Sequence, residues 1–245
     1  MYFIANWKMY GNLSSINTVK NVINLSKKTK FKKIKIIYCP PYTLLRPLIK
    51  KLRKSKIQVG AQNCHTDNEF GAYTGSVNAK MIKSVGGKFV IIGHSENRLE
   101  GDTNKKINLK IKSSLKENLK VIFCIGENLK EKRNKKTNKI LKSQIINGLK
   151  NVKNLNNIIV AYEPIWAIGT GIIPKSNDLD KQVKTIKKIL NKRFKSKNSK
   201  VLYGGSVNSK NISDLRQISS LDGFLIGGAS QKSKNFIDII KKTIN

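Results

Sequence analysis

Eight short and nearly uninterrupted apolar runs recur along the chain. Between them lie longer lysine-rich segments whose apolar residues fall three and four positions apart. The runs occupy residues 2–7 (YFIANW), 33–39 (KIKIIYC), 57–62 (IQVGAQ), 88–93 (KFVIIG), 120–126 (KVIFCIG), 157–162 (NIIVAY), 200–205 (KVLYGG) and 222–228 (DGFLIGG). They are β-branched and do not alternate with polar residues, the pattern of parallel strands covered on both faces. Segments 17–28, 103–118 and 179–194 carry the helical period and predict amphipathic helices. A run returns about every 30 residues, the size of one βα unit. No linker or shift in composition divides the chain, so the pattern predicts one α/β domain over residues 1–245. Eight strands, each followed by a helix, make it a closed (β/α)8 barrel. A doubly wound open sheet is the alternative, but no G-x-G-x-x-G follows the first run.

In such a barrel the working face lies at the C-terminal ends of the strands, and the unusual residues of this chain gather there. Asn6 and Lys8 close the first run, His94 follows the fourth, and Glu163 follows the sixth. Paired glycines, Gly204-Gly205 and Gly227-Gly228, close the last two. Taken singly, each has an ordinary explanation: a surface lysine, a structural histidine, a buried ion-pair partner, a tight turn. Together they supply a carboxylate base, a hydrogen-bond donor for a developing oxyanion, and a fixed cation. The glycine turns bare backbone N–H groups suited to phosphate, and Ser206 adds a hydroxyl. The set suits proton transfer beside a carbonyl in a small phosphate ester, with no metal-ligand cluster and no nucleotide fingerprint.

Composition changes this picture little. Lys+Arg total 49 against 14 Asp+Glu, a formal charge of +35. The lysines recur in nearly every helical segment without interleaved aromatics, as on a solvated outer face, and they predict no specific nucleic-acid partner. Nonspecific attraction to polyanions at low salt is the expected side effect. A polyanion-binding barrel would explain the charge but not a rim loaded with acid, base and glycine turns. Three cysteines without ligand spacing fit a reduced cytoplasmic protein. No run has membrane-spanning length, so no membrane association is expected.

Seven motifs, in order and over nearly the whole chain, resemble the triosephosphate isomerase family: NWKM (6–9), GAYTG (71–75), GHSE (93–96), CIGE (124–127), AYEPIWAIGTG (161–171), YGGSV (203–207) and DGFLIGGAS (222–230). The resemblance implies a single-domain TIM barrel that interconverts dihydroxyacetone phosphate and glyceraldehyde 3-phosphate without a cofactor or metal. It implies Glu163 as the base, His94 as the group polarising the carbonyl, and Asn6 and Lys8 as holders of substrate and enediolate. Gly169, Ser206, Gly227 and Gly228 would bind the phosphate, with Glu96 beside Lys8. This family is the standard case of a neutral histidine electrophile at a helix N-terminus, and HSEN can open such a helix. It also implies a homodimer through the 71–76 loop, with Thr74 reaching Asn6 of the partner. A different phosphate-binding barrel enzyme would share the glycine turns but not AYEPIWAIGTG.

Two departures stand out. Relatives commonly carry Glu after GAYTG and Arg after GHSE, where this chain has Ser76 and Asn97. Losing both charges together leaves neither stranded, and a neutral Ser76–Asn97 contact across the dimer is expected. After GTG this chain has Ile172-Ile173-Pro174, and proline restricts both its own φ and the residue before it. A stiffer end to the loop that follows Glu163 is expected.

Overall fold

The computed structural model describes residues 1–196 and 198–244; Lys197 and Asn245, which the 1–245 domain expectation includes, lie outside the described residues. Eight parallel strands pair in chain order, and the last closes on the first. They are β1 (Tyr2–Asn6), β2 (Lys35–Cys39), β3 (Gln58–Ala61), β4 (Phe89–Ile92), β5 (Lys120–Ile125), β6 (Ile158–Tyr162), β7 (Val201–Tyr203) and β8 (Gly223–Ile226). The helices around them are α1 (Val19–Lys27), α2 (Tyr42–Leu52), α3 (Ala79–Ser84), α4 (Ser95–Leu99), α5 (Asn104–Lys116), α6 (Leu129–Arg133), α7 (Thr137–Gly148), α8 (Ser176–Phe194), α9 (Ile212–Leu215) and α10 (Ser233–Ile244).

Alternate strand residues face two different cores, which is why the runs are apolar throughout. Ile4, Ile37, Ile91, Ile122, Ile159 and Leu225 fill the barrel interior. Phe3, Tyr38, Val90 and Phe123 pack outward beneath the helices. Helix starts follow local chemistry: Asn78 caps α3, Thr103 caps α5, and Asn128 forms a capping box with Glu131 at α6.

The one-strand, one-helix pattern needs amending. The chain between β4 and β5 carries two helices, while the connection after β7 keeps only the four residues of α9. The 179–194 helix starts earlier, at Ser176, and β7 and β8 stop before their glycine pairs. The apolar period marks only buried turns, so it misses a polar first turn and cannot separate a strand from glycine continuing its line. Among the described residues, no helix is long and apolar enough to cross a membrane.

Candidate active site

A cavity of about 320 Å³ opens at the C-terminal ends of the strands. Asn6, Lys8, His94 and Glu163 line one part of its wall, and Gly169, Ser206, Gly227 and Gly228 line another. The structure therefore brings these eight sequence-expected residues to one cavity, with Gly204 and Gly205 beside them. Glu96 stands just behind, bonded to Lys8.

Lys8 leaves β1 in the left-handed region, with φ 53°. That conformation costs a lysine about 1–2 kcal/mol, and three side chains hold it. Its N–H donates to Asn6 Oδ1 (3.0 Å), its carbonyl accepts from Gln62 Nε2 (2.8 Å), and its Nζ donates to Glu96 Oε1 (2.5 Å). Gln62 also reaches Cys39 O (2.8 Å), tying this bend to the end of β2. The lysine is thus aimed by its backbone rather than left to wander, and a Cβ on Gly227 would come within 3.3 Å of its Cε.

His94 is the N-cap of α4. Its Nδ1 accepts the Glu96 N–H (3.3 Å), so the ring proton belongs on Nε2. Nε2 points toward Glu163, 3.5 Å from Oε1. The Glu163 N–H is fixed by Ile125 O (2.7 Å), which anchors the carboxylate to the rim where β6 ends. Glu163 is only 2% exposed, and its Oε1 has no hydrogen-bond partner among the described residues. Burial raises its pKa above the usual carboxylate value of 4.5; His94, the Cys124 thiol, the Ser95 N–H and Lys8 pull it back in part. Gly204 leaves the room this side chain occupies, since a Cβ there would lie 2.7 Å from Glu163 Cγ.

The loop from Glu163 to α8 begins with a 3-10 turn, Ile165–Ala167. Trp166 Nε1 donates to Glu127 Oε1 (2.9 Å), and Tyr162 Oη donates to the same buried carboxylate (3.2 Å to Oε2). Burial pushes Glu127 up as well, against the hydrogen bonds from Trp166 and Tyr162. On the far side, the Ser206 N–H (3.0 Å) and hydroxyl (2.7 Å) both donate to Ala167 O, while Gly171 N–H donates to Ser206 Oγ (3.1 Å). Ser206 therefore latches the loop in this structure. Ala167 is buried and Ile168 lines the cavity, the apolar underside expected of a cover.

The sequence assigned no role to Gln62 or Arg98, showed Glu127 only as the end of CIGE, and offered Gly204 as a phosphate turn where the structure uses it to make room for Glu163. Arg98 joins the ends of β4 and β5 through Gly93 O (2.8 Å) and Cys124 O (3.0 Å). Gln62 closes the third apolar run without distinguishing chemistry, and Arg98 sits within α4, where an arginine has no local signal.

The family model for triosephosphate isomerase matches residues 1–243. The chain belongs to the triosephosphate isomerase family. It is 40% identical over 244 residues to the triosephosphate isomerase of Dictyoglomus thermophilum, covering 97% of each chain. It is 39% identical to that of Dictyoglomus turgidum, again over 97% of each. The crystal structure of triosephosphate isomerase from Bartonella henselae superposes with a TM-score of 0.91 at 31% identity, covering 100% of this chain and 99% of that one. The reaction is accordingly the glycolytic isomerisation between dihydroxyacetone phosphate and glyceraldehyde 3-phosphate. A cavity of this size, with one cation and glycine turns at its wall, suits a three-carbon phosphate of this family.

Proposed function

We propose that Glu163 carries the proton of this isomerisation between the two substrate carbons through an enediolate. The observation behind this is a buried carboxylate, held above its usual pKa and with an unpartnered oxygen, in the same cavity as a histidine N–H and a lysine. A carboxylate short of hydrogen bonds is a stronger base than a solvated one and needs little desolvation to act. His94 Nε2–H would donate to the carbonyl oxygen, and Lys8 with Asn6 would hold the charge that grows there. Backbone N–H groups at Gly169, Gly227 and Gly228 would take the phosphate. Ser206 would join them by giving up one of its two bonds to Ala167 O. In deuterium oxide, proton NMR should show solvent deuterium on the product carbon. Solvent deuterium entering the product carbon as fast in Glu163→Gln as in wild type would overturn this role for Glu163.

The same reading extends to assembly. Thr74 stands in an exposed loop flanked by bare aromatic surface, with Phe70 72% and Tyr73 48% exposed. A hollow of about 330 Å³ adjoins it, with Ser76, Cys64 and the partly buried Lys110–Asp102 pair (2.7 Å) in its wall. A second copy covering this face would make the homodimer, with Ser76 meeting Asn97. Thr74→Arg should shift the sedimenting species from dimer to monomer; an unchanged dimer would place the interface elsewhere. The three buried free thiols fit a reducing cytoplasm.

Ile173 packs against the core and Pro174 is half-buried, while Ile172 is 58% exposed. The end of the cover is thus pinned where relatives place Lys-Ser/Thr-Ala. Pro174→Ala should speed the exchange of loop resonances in relaxation dispersion, with kcat following if opening limits turnover. Equal exchange rates would remove the hinge role.

A further inference from the structure

The fourteen acidic residues all lie beyond residue 66, whereas residues 1–66 hold fourteen lysines and arginines and no acid. Two of the basic runs in that stretch, one after α1 and one after α2, lead into neighbouring parallel strands, β2 and β3. Both loops therefore lie at the N-terminal end of the barrel, opposite the catalytic cavity. The fold makes them adjoin: Lys32 and Lys56 line the same depression, floored by Phe31 and Ile57. Lys28, Lys32, Lys33, Arg53, Lys54 and Lys56 are all exposed. Lys88, Lys120 and Lys200 extend the same end at the starts of β4, β5 and β7, and Asp222 beside them is already bonded to Lys187 (2.7 Å) and Lys200 (3.1 Å).

We propose that this N-terminal face is a sequence-independent docking surface for double-stranded nucleic acid. Concentrating like charges without acids weakens the folded state by self-repulsion, and a polyanion laid across them relieves it. A duplex presents a regular phosphate array that lysines neutralise with release of counterions. The two loops expose no anchor for a bilayer and no ring for stacking single-stranded bases: Phe31 is 6% and Ile57 5% exposed, and Ile34 is half-buried. Met1, at 40% exposure, is a lone apolar side chain at this end, whereas Met9, Tyr10, Leu13 and Tyr42 follow the C-terminal ends of β1 and β2 on the opposite face. The duplex thus leaves the catalytic mouth open.

The test is fluorescence anisotropy of a labelled mixed-sequence DNA duplex with the full chain across a salt series. Binding should weaken steeply with salt and ignore sequence, and duplex should raise the melting temperature. K28Q/K32Q/K33Q/R53Q/K54Q/K56Q should flatten the slope of log K against log salt by about 3–5, leaving isomerase kcat/KM unchanged. An equal loss of charge on α7 and α8, K139Q/K142Q/K181Q/K184Q/K188Q/K192Q, should change the slope by about one or less. Equal weakening by the two sets would mean diffuse charge and overturn the proposal. So would failure of the wild type to bind duplex at low salt, or capture by anionic vesicles in place of duplex.

Discussion

Glu163→Gln should lower kcat by about 10²–10⁴-fold, the range for removing a positioned general base, while raising the melting temperature at pH 7. The two effects share one cause. Burial holds the Glu163 pKa above 4.5 in the folded chain, so ionising it inside the barrel costs stability. A raised folded pKa contributes stability below the unfolded pKa and loses it as pH rises through the folded value. The glutamine variant has no such loss, so calorimetry should find it more stable than wild type at pH 7 and level with it below pH 4.5. The same shift puts the acid limb of wild-type kcat/KM above pH 4.5. Wild-type activity in the variant would remove Glu163 from the chemistry. A variant less stable at pH 7 would show that the carboxylate is better satisfied than its unpartnered Oε1 indicates.

Lys8→Met should cost about 10²–10³-fold in kcat/KM, the scale for losing one oriented donor to developing charge, with little change in stability. The backbone clamp from Asn6 and Gln62 does not use the lysine side chain, so methionine should inherit the left-handed bend. The lost ion pair joins side chains 24% and 51% exposed, and pairs so open to water contribute about 1 kcal/mol or less. Kinetics and calorimetry on one preparation separate these effects. A kcat/KM within threefold of wild type would make Lys8 a bystander; a collapse in melting temperature would make it structural.

The barrel was legible because burial on both faces of a parallel strand leaves a continuous apolar run, and eight such runs recur at one spacing. Glu163, His94, Asn6 and Lys8 were legible because each interrupts such a run at its C-terminal end, where a polar residue has no packing reason to be. Gln62 had the same position but no distinguishing chemistry. Its role as the clamp on Lys8 depends on a carbonyl 54 positions away. Glu127 reads as one more acid until Trp166 and Tyr162 are seen to converge on it. Ser206 was expected as a phosphate donor, yet its N–H and hydroxyl both bond Ala167 O, a competition that no local pattern records.

Charge shows the same division. Along the chain the lysines look evenly spread over solvated helices, and the +35 total names no surface. Closing the strands in order sets the loops after α1 and α2 side by side and turns two separate runs into one strongly basic face. Periodicity and the polar residues at the strand ends, which depend on near neighbours in the chain, were visible in the sequence alone. The aim of Lys8, the room for Glu163 beside Gly204, the latch at Ser206 and the basic face were decided by the tertiary structure, because each depends on contacts between segments that only barrel closure brings together.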